Sequence, residues 1–591
     1  MKKQDLLIIA VLFALLMAWP FLYKRWIAPE ETGPAKTLPT AGQAETTRFP
    51  VPALSPTTSV TAAQVIPAEP IPPVQPQEKK PAARTPEQRL TLANTGVSLE
   101  ISTQGGGIVS ATFADYRQTV EKDSGPLALD FAGRPALTYQ NLPGFSADDD
   151  FRVVSNSPAA VVLESKTADG LRLTRTIELN SQYQAVVRDL FVNTAAADRL
   201  IPKHAVQAGA MQAPPHEYRM SGMNYLGIDA LAASGGEGVI HWAGKLAKLF
   251  KTFKKEKEMS FLPKTIEQEE EMPVDWIAVK NKFFTQILVP EGGAAGYRLA
   301  AERIVIEGED LNPALKPKNA EIQNVSAAAV ISAKTLNGGE TLCRTFKLYV
   351  GPKKYSILRT LGLHQEEVME FGMWSPVCRF LLTVLNKTYN VIPNYGAAII
   401  LLTILIRIIF WPLTHKSTES MKKMQALQPL MTEIKAKHKD NPKKLQEETM
   451  ALYRKHKVNP VSGCLPMLIQ IPVFIALFVV LRSAVELRFA SFLWVTDLSA
   501  PERLFADVLP IPLNILPIFM AVSQAWQQSL MPATDPNQQK MMLFFMPAVM
   551  LVMFYMMPSA LVLYWSANQC IVIVQQLIQK KRTARAAAAK K

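Results

Sequence analysis

The sequence predicts a membrane protein in which six transmembrane helices are combined with an all-β domain outside the bilayer. Residues 395–580 contain five apolar runs, each close to the ~20 residues that a helix needs to cross the hydrocarbon core. A further apolar run lies near the N-terminus, and short β-rich segments separated by Gly, Asn and Asp clusters lie between. The five runs are Tyr395–Leu413, Gly463–Leu481, Pro510–Leu530, Met541–Met557 and Ser559–Ile578.

Residues 1–27 are predicted to form an N-terminal transmembrane anchor. A pair of lysines precedes an apolar run from Leu6 to Leu22. A cleaved signal peptide is the alternative, but no clean A-x-A site follows and the run is longer than most signal cores. Residues 28–90 are predicted to be a linker, because recurring prolines among Ala, Thr and Gln favour an extended chain that buries no core.

Residues 91–355 are predicted to form a large antiparallel β-sandwich. Segments such as Val97–Thr103 and Leu171–Glu178 are short and rich in residues that favour strands. Residues 356–394 are predicted to contain an amphipathic helix that lies on the membrane surface, because apolar side chains, including Trp374, recur there at helical spacing.

The distribution of basic residues predicts the orientation of the spans. The segment 415–458 and the tail 581–591 are rich in Lys and Arg, whereas the loop 485–509 holds only Arg488 and Arg503 beside four acidic residues. By the positive-inside rule the first two segments face the cytoplasm and the loop faces outward. Both termini are then cytoplasmic, and the β-domain lies outside. The basic clusters also suit anionic lipids, and the tail suits ribosomal RNA as well.

The cytoplasmic segment 415–458 is predicted to fold as an antiparallel helical hairpin. Apolar residues from Met421 to Ile434 recur every three or four positions, as on one face of a helix. Asp440, Asn441 and Pro442 interrupt this pattern, and a second helix follows.

Arg407 is a charged side chain inside a predicted span, where charge is costly. It either snorkels to the cytoplasmic headgroups or belongs to a functional site. Polar side chains of the other spans gather toward the cytoplasmic side, and the outer halves are drier. This pattern predicts a water-filled groove that opens to the cytoplasm and is closed outward. The polar residues are Gln470, Ser523, Gln524, Gln527, Gln528, Gln575 and Gln576, together with Thr403, one turn from Arg407 in the same span, and Asn568, near mid-membrane.

The span Met541–Met557 is unusually rich in methionine. Methionine is flexible and polarizable, so it suits a surface that binds many different apolar sequences. Ordinary packing against lipid is the alternative.

Sequence motifs give no sign of an enzyme or a metalloprotein. The four cysteines form no CxxC pair, and neither an HExxH pattern nor a GxSxG elbow is present. No phosphate-binding loop with its Lys-Ser/Thr pair is found, which argues against an ATP-driven machine. We therefore expect no catalytic residue, no metal site and no cofactor.

Several segments resemble the YidC-type insertases of the YidC/Oxa/Alb family, in the Gram-negative form with a large periplasmic domain. Ala560 departs from the Gly that many members have there, which affects close packing. The matching segments are Asn459–Pro466 with Gln470–Pro472, Asp535–Met541, Pro558–Trp565, Glu486–Arg488 with Asp497–Ser499, and Ser420–Met424.

The resemblance implies a periplasmic supersandwich and a five-helix insertase core in the bacterial inner membrane. The core would insert membrane proteins and help them fold, alone or with the Sec translocon, including SecDF, without hydrolysing a nucleotide. In the family, the counterpart of Arg407 attracts the acidic tail of a client, whose apolar segment then leaves along the third and fifth spans. The expected groove residues are Arg407, Thr403, Gln470, Gln524, Tyr564, Trp565 and Asn568.

The partners that the resemblance implies are nascent membrane proteins, the ribosome and the signal recognition particle receptor. The hairpin and the basic tail are the expected docking elements for the last two. Two other functions stay open from the sequence: a non-catalytic assembly scaffold of the translocon and a small-solute transporter. A transporter predicts repeated halves and polar sites at the midplane, and the sequence offers neither.

Overall fold

The computed structural model describes most of the chain from residue 86 onward. The predicted anchor 1–27, nearly all of the linker 28–90 and two segments of the family resemblance, 459–464 and 535–540, lie outside the described residues. The described ranges are 86–131, 133–180, 183–212, 226–233, 239–241, 264–303, 324–439, 441–456, 458, 465–505, 512–530 and 541–588.

The predicted all-β domain is confirmed, and the strands that the structure describes all pair antiparallel in four sheets. Their orders are β13-β12-β15-β16-β20-β9-β8-β7-β6, β14-β17-β18-β11-β5, β1-β2-β3-β4 and β10-β19. The strands are β1 (Arg89–Ala93), β2 (Val97–Ser102), β3 (Ile108–Arg117), β4 (Pro126–Asp130), β5 (Tyr139–Gln140), β6 (Arg152–Asn156), β7 (Ala160–Lys166), β8 (Leu171–Leu179), β9 (Gln184–Asn193), β10 (Arg199–Ile201), β11 (His204–Gln212), β12 (Gly227–Ala232), β13 (Val239–His241), β14 (Lys264–Glu270), β15 (Val274–Lys280), β16 (Phe284–Pro290), β17 (Gly296–Arg303), β18 (Asn324–Ile331), β19 (Lys334–Leu336) and β20 (Thr341–Pro352).

The strands show two burial patterns that explain how the sheets stack. In β8, inward residues such as Leu171 and Leu173 alternate with partly exposed ones, as the two-residue period of a strand dictates. By contrast, β16 and β18 are buried along their whole lengths, so both of their faces are covered. The middle strands therefore lie between layers, as expected for stacked sheets.

A fully buried ion pair lies inside the domain. Arg175 of β8 donates from Nε and Nη2 to the two carboxylate oxygens of Asp189 on β9, at 2.8 and 2.6 Å. Its Nη1 donates to the carbonyls of Gly106 and Leu137, and the Tyr139 hydroxyl donates to Asp189 at 2.5 Å. The pair thus joins the nine-stranded sheet to the segments around Gly106 and Tyr139.

Asp189→Asn is expected to lower the free energy of unfolding by roughly 3–5 kcal/mol, because it leaves the Arg175 charge buried without its counter-charge. Arg188→Gln, which breaks the exposed pair with Glu178 near it on β9, is the matched control and should cost less than about 1 kcal/mol. Denaturant unfolding of the full chain in detergent, followed by tryptophan fluorescence, to which buried Trp276 of the β-domain contributes, measures both. Equal losses would contradict this role for the pair.

The C-terminal part is helical. By length and composition, two described helices can cross a membrane, at Tyr395–Pro412 and Ser559–Arg582, and Gln470–Ser483 and Met541–Phe554 are shorter apolar helices. Six spans therefore stay a prediction. The helices are α1 (Tyr355–Leu358), α2 (Ser375–Val391), α3 (Tyr395–Ala426), α4 (Gln428–Lys437), α5 (Pro442–Lys455), α6 (Leu465–Ser483), α7 (Ile515–Leu530), α8 (Met546–Phe554, after a π-helical turn at Met541–Phe545) and α9 (Ser559–Ala588).

The helical hairpin is built from α4 and α5. Leu427, Tyr453 and Val458 form a small apolar cluster between them. Asn441 caps α5, since its side chain accepts a hydrogen bond from the backbone of Lys444 at 3.1 Å. The hairpin emerges from the long helix α3, which runs on through Pro412 to Ala426.

The loop between α6 and α7 joins the β-domain to the helices. Arg488 donates to the carbonyls of Arg117 and Gln118 at 2.5 and 3.2 Å, and Lys282 donates to the Ser499 carbonyl at 3.0 Å. The same loop caps the start of α9, where two backbone N–H groups donate to the carbonyls of Leu498 and Ala500.

Two buried lysines mark a second junction between the sheets and the connecting turns. Lys280 pairs with Asp229 and donates to the Val368 carbonyl at 3.0 Å and to Glu370 at 2.8 Å. Lys353 lies buried beside this cluster. Burial, followed by repulsion from Lys280, lowers the pKa of Lys353 to about 7.

Lys353 should make stability depend on pH. Because its folded-state pKa lies below its value in the unfolded chain, the unfolded chain binds more protons between about pH 7 and 10. Stability should therefore rise with pH in that window, by up to about 1.4 kcal/mol per pH unit. Lys353→Met should remove this dependence and raise the melting temperature most at pH 7. Thermal unfolding of the full chain at several pH values tests this, and a variant with the slope of the wild type would contradict it.

Candidate functional site

The candidate site is centred on Arg407, which lies in the apolar part of α3. The neighbouring side chains Ile408 and Ile409 are exposed, as expected for a surface that faces lipid. Thr403 lies one turn before Arg407 and is fully buried. Its hydroxyl donates to the Ile399 carbonyl at 2.7 Å, so it is satisfied within its own helix.

Arg407 is held by the last helix. Its Nε donates to Oδ1 of Asn568 on α9 at 2.6 Å. Tyr564 lies one turn earlier on α9, is almost fully buried, and shares a side-chain hydrogen bond with Gln470 of α6; the charge of Arg407 lies near enough to act on it. The structure therefore brings together Arg407, Asn568, Tyr564 and Gln470, from three helices.

A second polar cluster links α9 to α7. The Ser523 hydroxyl donates to Oε1 of Gln569 at 2.6 Å, and Nε2 of Gln569 donates to Oε1 of Gln524 at 3.3 Å. All three side chains are buried. Gln524 is thus a predicted site residue that lies in this cluster rather than beside Arg407. Gln569 is not among the residues predicted from the sequence, although two adjacent amides in an apolar run, Asn568 and Gln569, were a usable signal.

Trp565 lies in an aromatic cluster. Its ring centroid is 5.1 Å from that of Phe474 on α6 and 5.4 Å from that of Phe554 on α8. The two phenylalanine rings are 6.1 Å apart. Trp565 therefore joins α6 and α8, the helices of the predicted third and fifth spans.

The methionine-rich region presents a broad apolar surface. Val552, Met553 and Met556 are exposed, whereas Met550 and Met557 pack against the helical core. This distribution suits either a wall that binds apolar segments or contact with lipid. Among the described residues, no group of three or more His, Cys, Asp or Glu side chains is placed to hold a metal ion.

Gln569→Leu is expected to weaken the contact between α7 and α9, because it removes both hydrogen bonds of Gln569. The free energy of unfolding should fall by roughly 0.6–2 kcal/mol, the range found for such bonds between membrane helices. Unfolding in mixed detergent micelles measures this. Cys570→Ser, at the next position on α9, is the control and should change stability less. A Leu variant as stable as the wild type would show that the cluster contributes nothing.

Comparisons with known proteins cover nearly all of the described chain. A family model described as a 60 kDa inner membrane protein matches residues 387–586, and one described as the YidC periplasmic domain matches residues 89–384. A membrane protein insertase YidC from Pelobacter propionicus is 30% identical over 555 residues, which cover 92% of each chain.

Two further similarities have lower coverage. A membrane protein insertase YidC from Syntrophus aciditrophicus is 31% identical over 467 residues, which cover 77% of this chain and 78% of the relative. A solved structure of an active YidC insertase with its first transmembrane domain resolved covers 82% of this chain and 91% of that one, at 18% identity and a TM-score of 0.34.

Proposed function

The chain belongs to the YidC family of membrane protein insertases, and we propose that it inserts client proteins through a cytoplasm-open groove built around Arg407. The observation that carries this proposal is the pairing of Arg407 with Asn568 inside the helical part of the chain. A guanidinium in apolar surroundings is costly, so its presence among partly polar helices favours a role in binding.

A carboxylate is the ligand that best fits this arginine. Arginine presents paired N–H donors that match the two oxygens of a carboxylate, and such charged hydrogen bonds are stronger than neutral ones. They gain further strength where little water is present. An acidic segment in the tail of a client would therefore rest beside Arg407 before it crosses the rest of the bilayer.

The energy for insertion comes from the client itself. Transfer of its apolar surface from water to lipid releases about 25 cal/mol per Å². The exposed apolar face of α8 and the aromatic cluster that joins it to α6 offer a path from the groove into lipid. No nucleotide is required for such a downhill step.

The basic elements of the helical part suit the proposed partners. Exposed lysines and arginines lie on α4 and α5 and at the end of α9. We place them in the cytoplasm, where they would contact anionic lipids, the ribosome and the signal recognition particle receptor. Nascent membrane proteins are the clients, and the Sec translocon with SecDF is the proposed membrane partner.

Reconstitution of the purified protein in liposomes tests the function. A single-span client with an acidic tail is expected to insert without nucleotide. Arg407→Ala should lower the yield roughly tenfold or more, the scale of a charged hydrogen bond, and Arg407→Lys, which keeps the charge but lacks the paired donors, should retain part of it. Arg482→Ala removes an arginine at the outer end of α6 and should leave insertion unchanged.

The other outcomes point to different functions. If Arg407→Ala inserts the client with the same yield as the wild type, Arg407 is a snorkelling residue and the charged groove is removed from the proposal. No insertion by any variant, including the wild type, would favour an assembly scaffold or a transporter instead.

A further inference from the structure

The hydrogen bond between Arg407 and Asn568 constrains how the guanidinium can bind a ligand. The bond uses Nε, the nitrogen nearest the helix backbone. A guanidinium is planar, so fixing the direction of its Nε–H also fixes where Nη1 and Nη2 point. Because arginine offers only donors, the oxygen of the Asn568 amide must be the atom that faces it.

The two terminal nitrogens remain for a ligand. Within the described residues, Arg407 has no hydrogen bond or ion pair other than the one to Asn568. The side chain is only partly buried. A planar ligand with two acceptor oxygens can therefore approach Nη1 and Nη2 together while Nε stays held.

Asn568 is itself fixed in place. It is buried, and the positions around it on α9 are tied to three other helices. Gln569 bonds to α7, Trp565 packs on α6 and α8, and Tyr564 contacts Gln470 of α6. The acceptor for Arg407 is thus carried by a helix that has little freedom to turn.

The neutrality of Asn568 is as important as its position. An amide oxygen orients the guanidinium but leaves its positive charge uncompensated. A carboxylate at position 568 would form an ion pair with Arg407 and would compete with any acidic ligand.

We propose that Asn568 is a positioning residue, which holds Arg407 so that Nη1 and Nη2 form a fork for one carboxylate of the client. This inference rests on the proposed function of Arg407 and adds a specificity to it. The fork should bind the planar carboxylates of Asp, Glu or a chain terminus in preference to amides of the same shape. This preference should be larger than charge attraction alone provides.

The test compares two clients that differ only by Asp or Asn at one position of the tail. Both are inserted together into the same liposomes, and the ratio of inserted Asp client to inserted Asn client is measured. Asn568→Leu keeps a similar size but removes the acceptor, and it should lower the ratio by roughly tenfold, the scale of one oriented hydrogen bond. Asn568→Asp should bring the ratio close to that of Arg407→Ala.

Ser566→Ala is the matched control. Ser566 is buried on the same helix, and its hydroxyl has no hydrogen-bond partner among the described residues. This variant should keep the wild-type ratio. Since the ratio compares two clients in one sample, a variant that folds poorly lowers both yields and leaves the ratio unchanged.

The outcomes separate this inference from the proposed function. A wild-type ratio near one would overturn the pairing of Arg407 with client carboxylates and the role of Asn568 with it. If the wild type prefers the Asp client and Asn568→Leu shows the same preference, the positioning role of Asn568 is overturned, while the pairing of Arg407 with client carboxylates stands. A selective wild type whose selectivity falls in both Asn568 variants, but not in Ser566→Ala, is the result that supports the inference.

Discussion

The helical part of the chain is organised around the need to stabilise a guanidinium among apolar helices. A charged group in such surroundings is tolerated only if neighbouring segments supply polar partners or water. Arg407 donates a hydrogen bond to Asn568, and Tyr564, which is bonded to Gln470, lies one turn from Asn568 on the same helix. These contacts bring α3, α6 and α9 together at one point. The arrangement of the three helices is thus coupled to the placement of one charge.

The last helix carries most of this coupling. Successive residues of a helix point about 100° apart, so neighbours in sequence meet different helices. On α9, Asn568 meets α3 and Gln569 meets α7, while Trp565 meets α6 and α8. A change at one of these positions therefore affects one helix contact directly and the others through the orientation of α9. The same geometry explains why the predicted site residues form separate clusters.

Much of the candidate site and of the helical fold was predictable from the sequence. The features that were not predictable have physical reasons. The position of a residue along an apolar run gives its depth, which is why Arg407, Gln470 and Asn568 could be grouped. It does not give the direction in which a side chain points, so Gln524 and Trp565 were grouped with Arg407 as well. The predicted span also ended at Leu413, next to Pro412, yet α3 continues through this proline to Ala426. Proline removes one backbone hydrogen bond, a loss that surrounding structure can offset.

The contacts at the two ends of the helices explain why the proposed groove would open to one side only. At the predicted outer end, the loop after α6 bonds to the start of α9, and Glu502 of the same loop accepts the first N–H groups of α7. Arg488 and Lys282 then tie this loop to the β-domain. At the other end, α3 leads into the hairpin, whose apolar cluster is separate from the main helical core. Within the described part of the chain, loop hydrogen bonds tie the helices together at the end that contacts the β-domain, which suits a groove that is closed at this end.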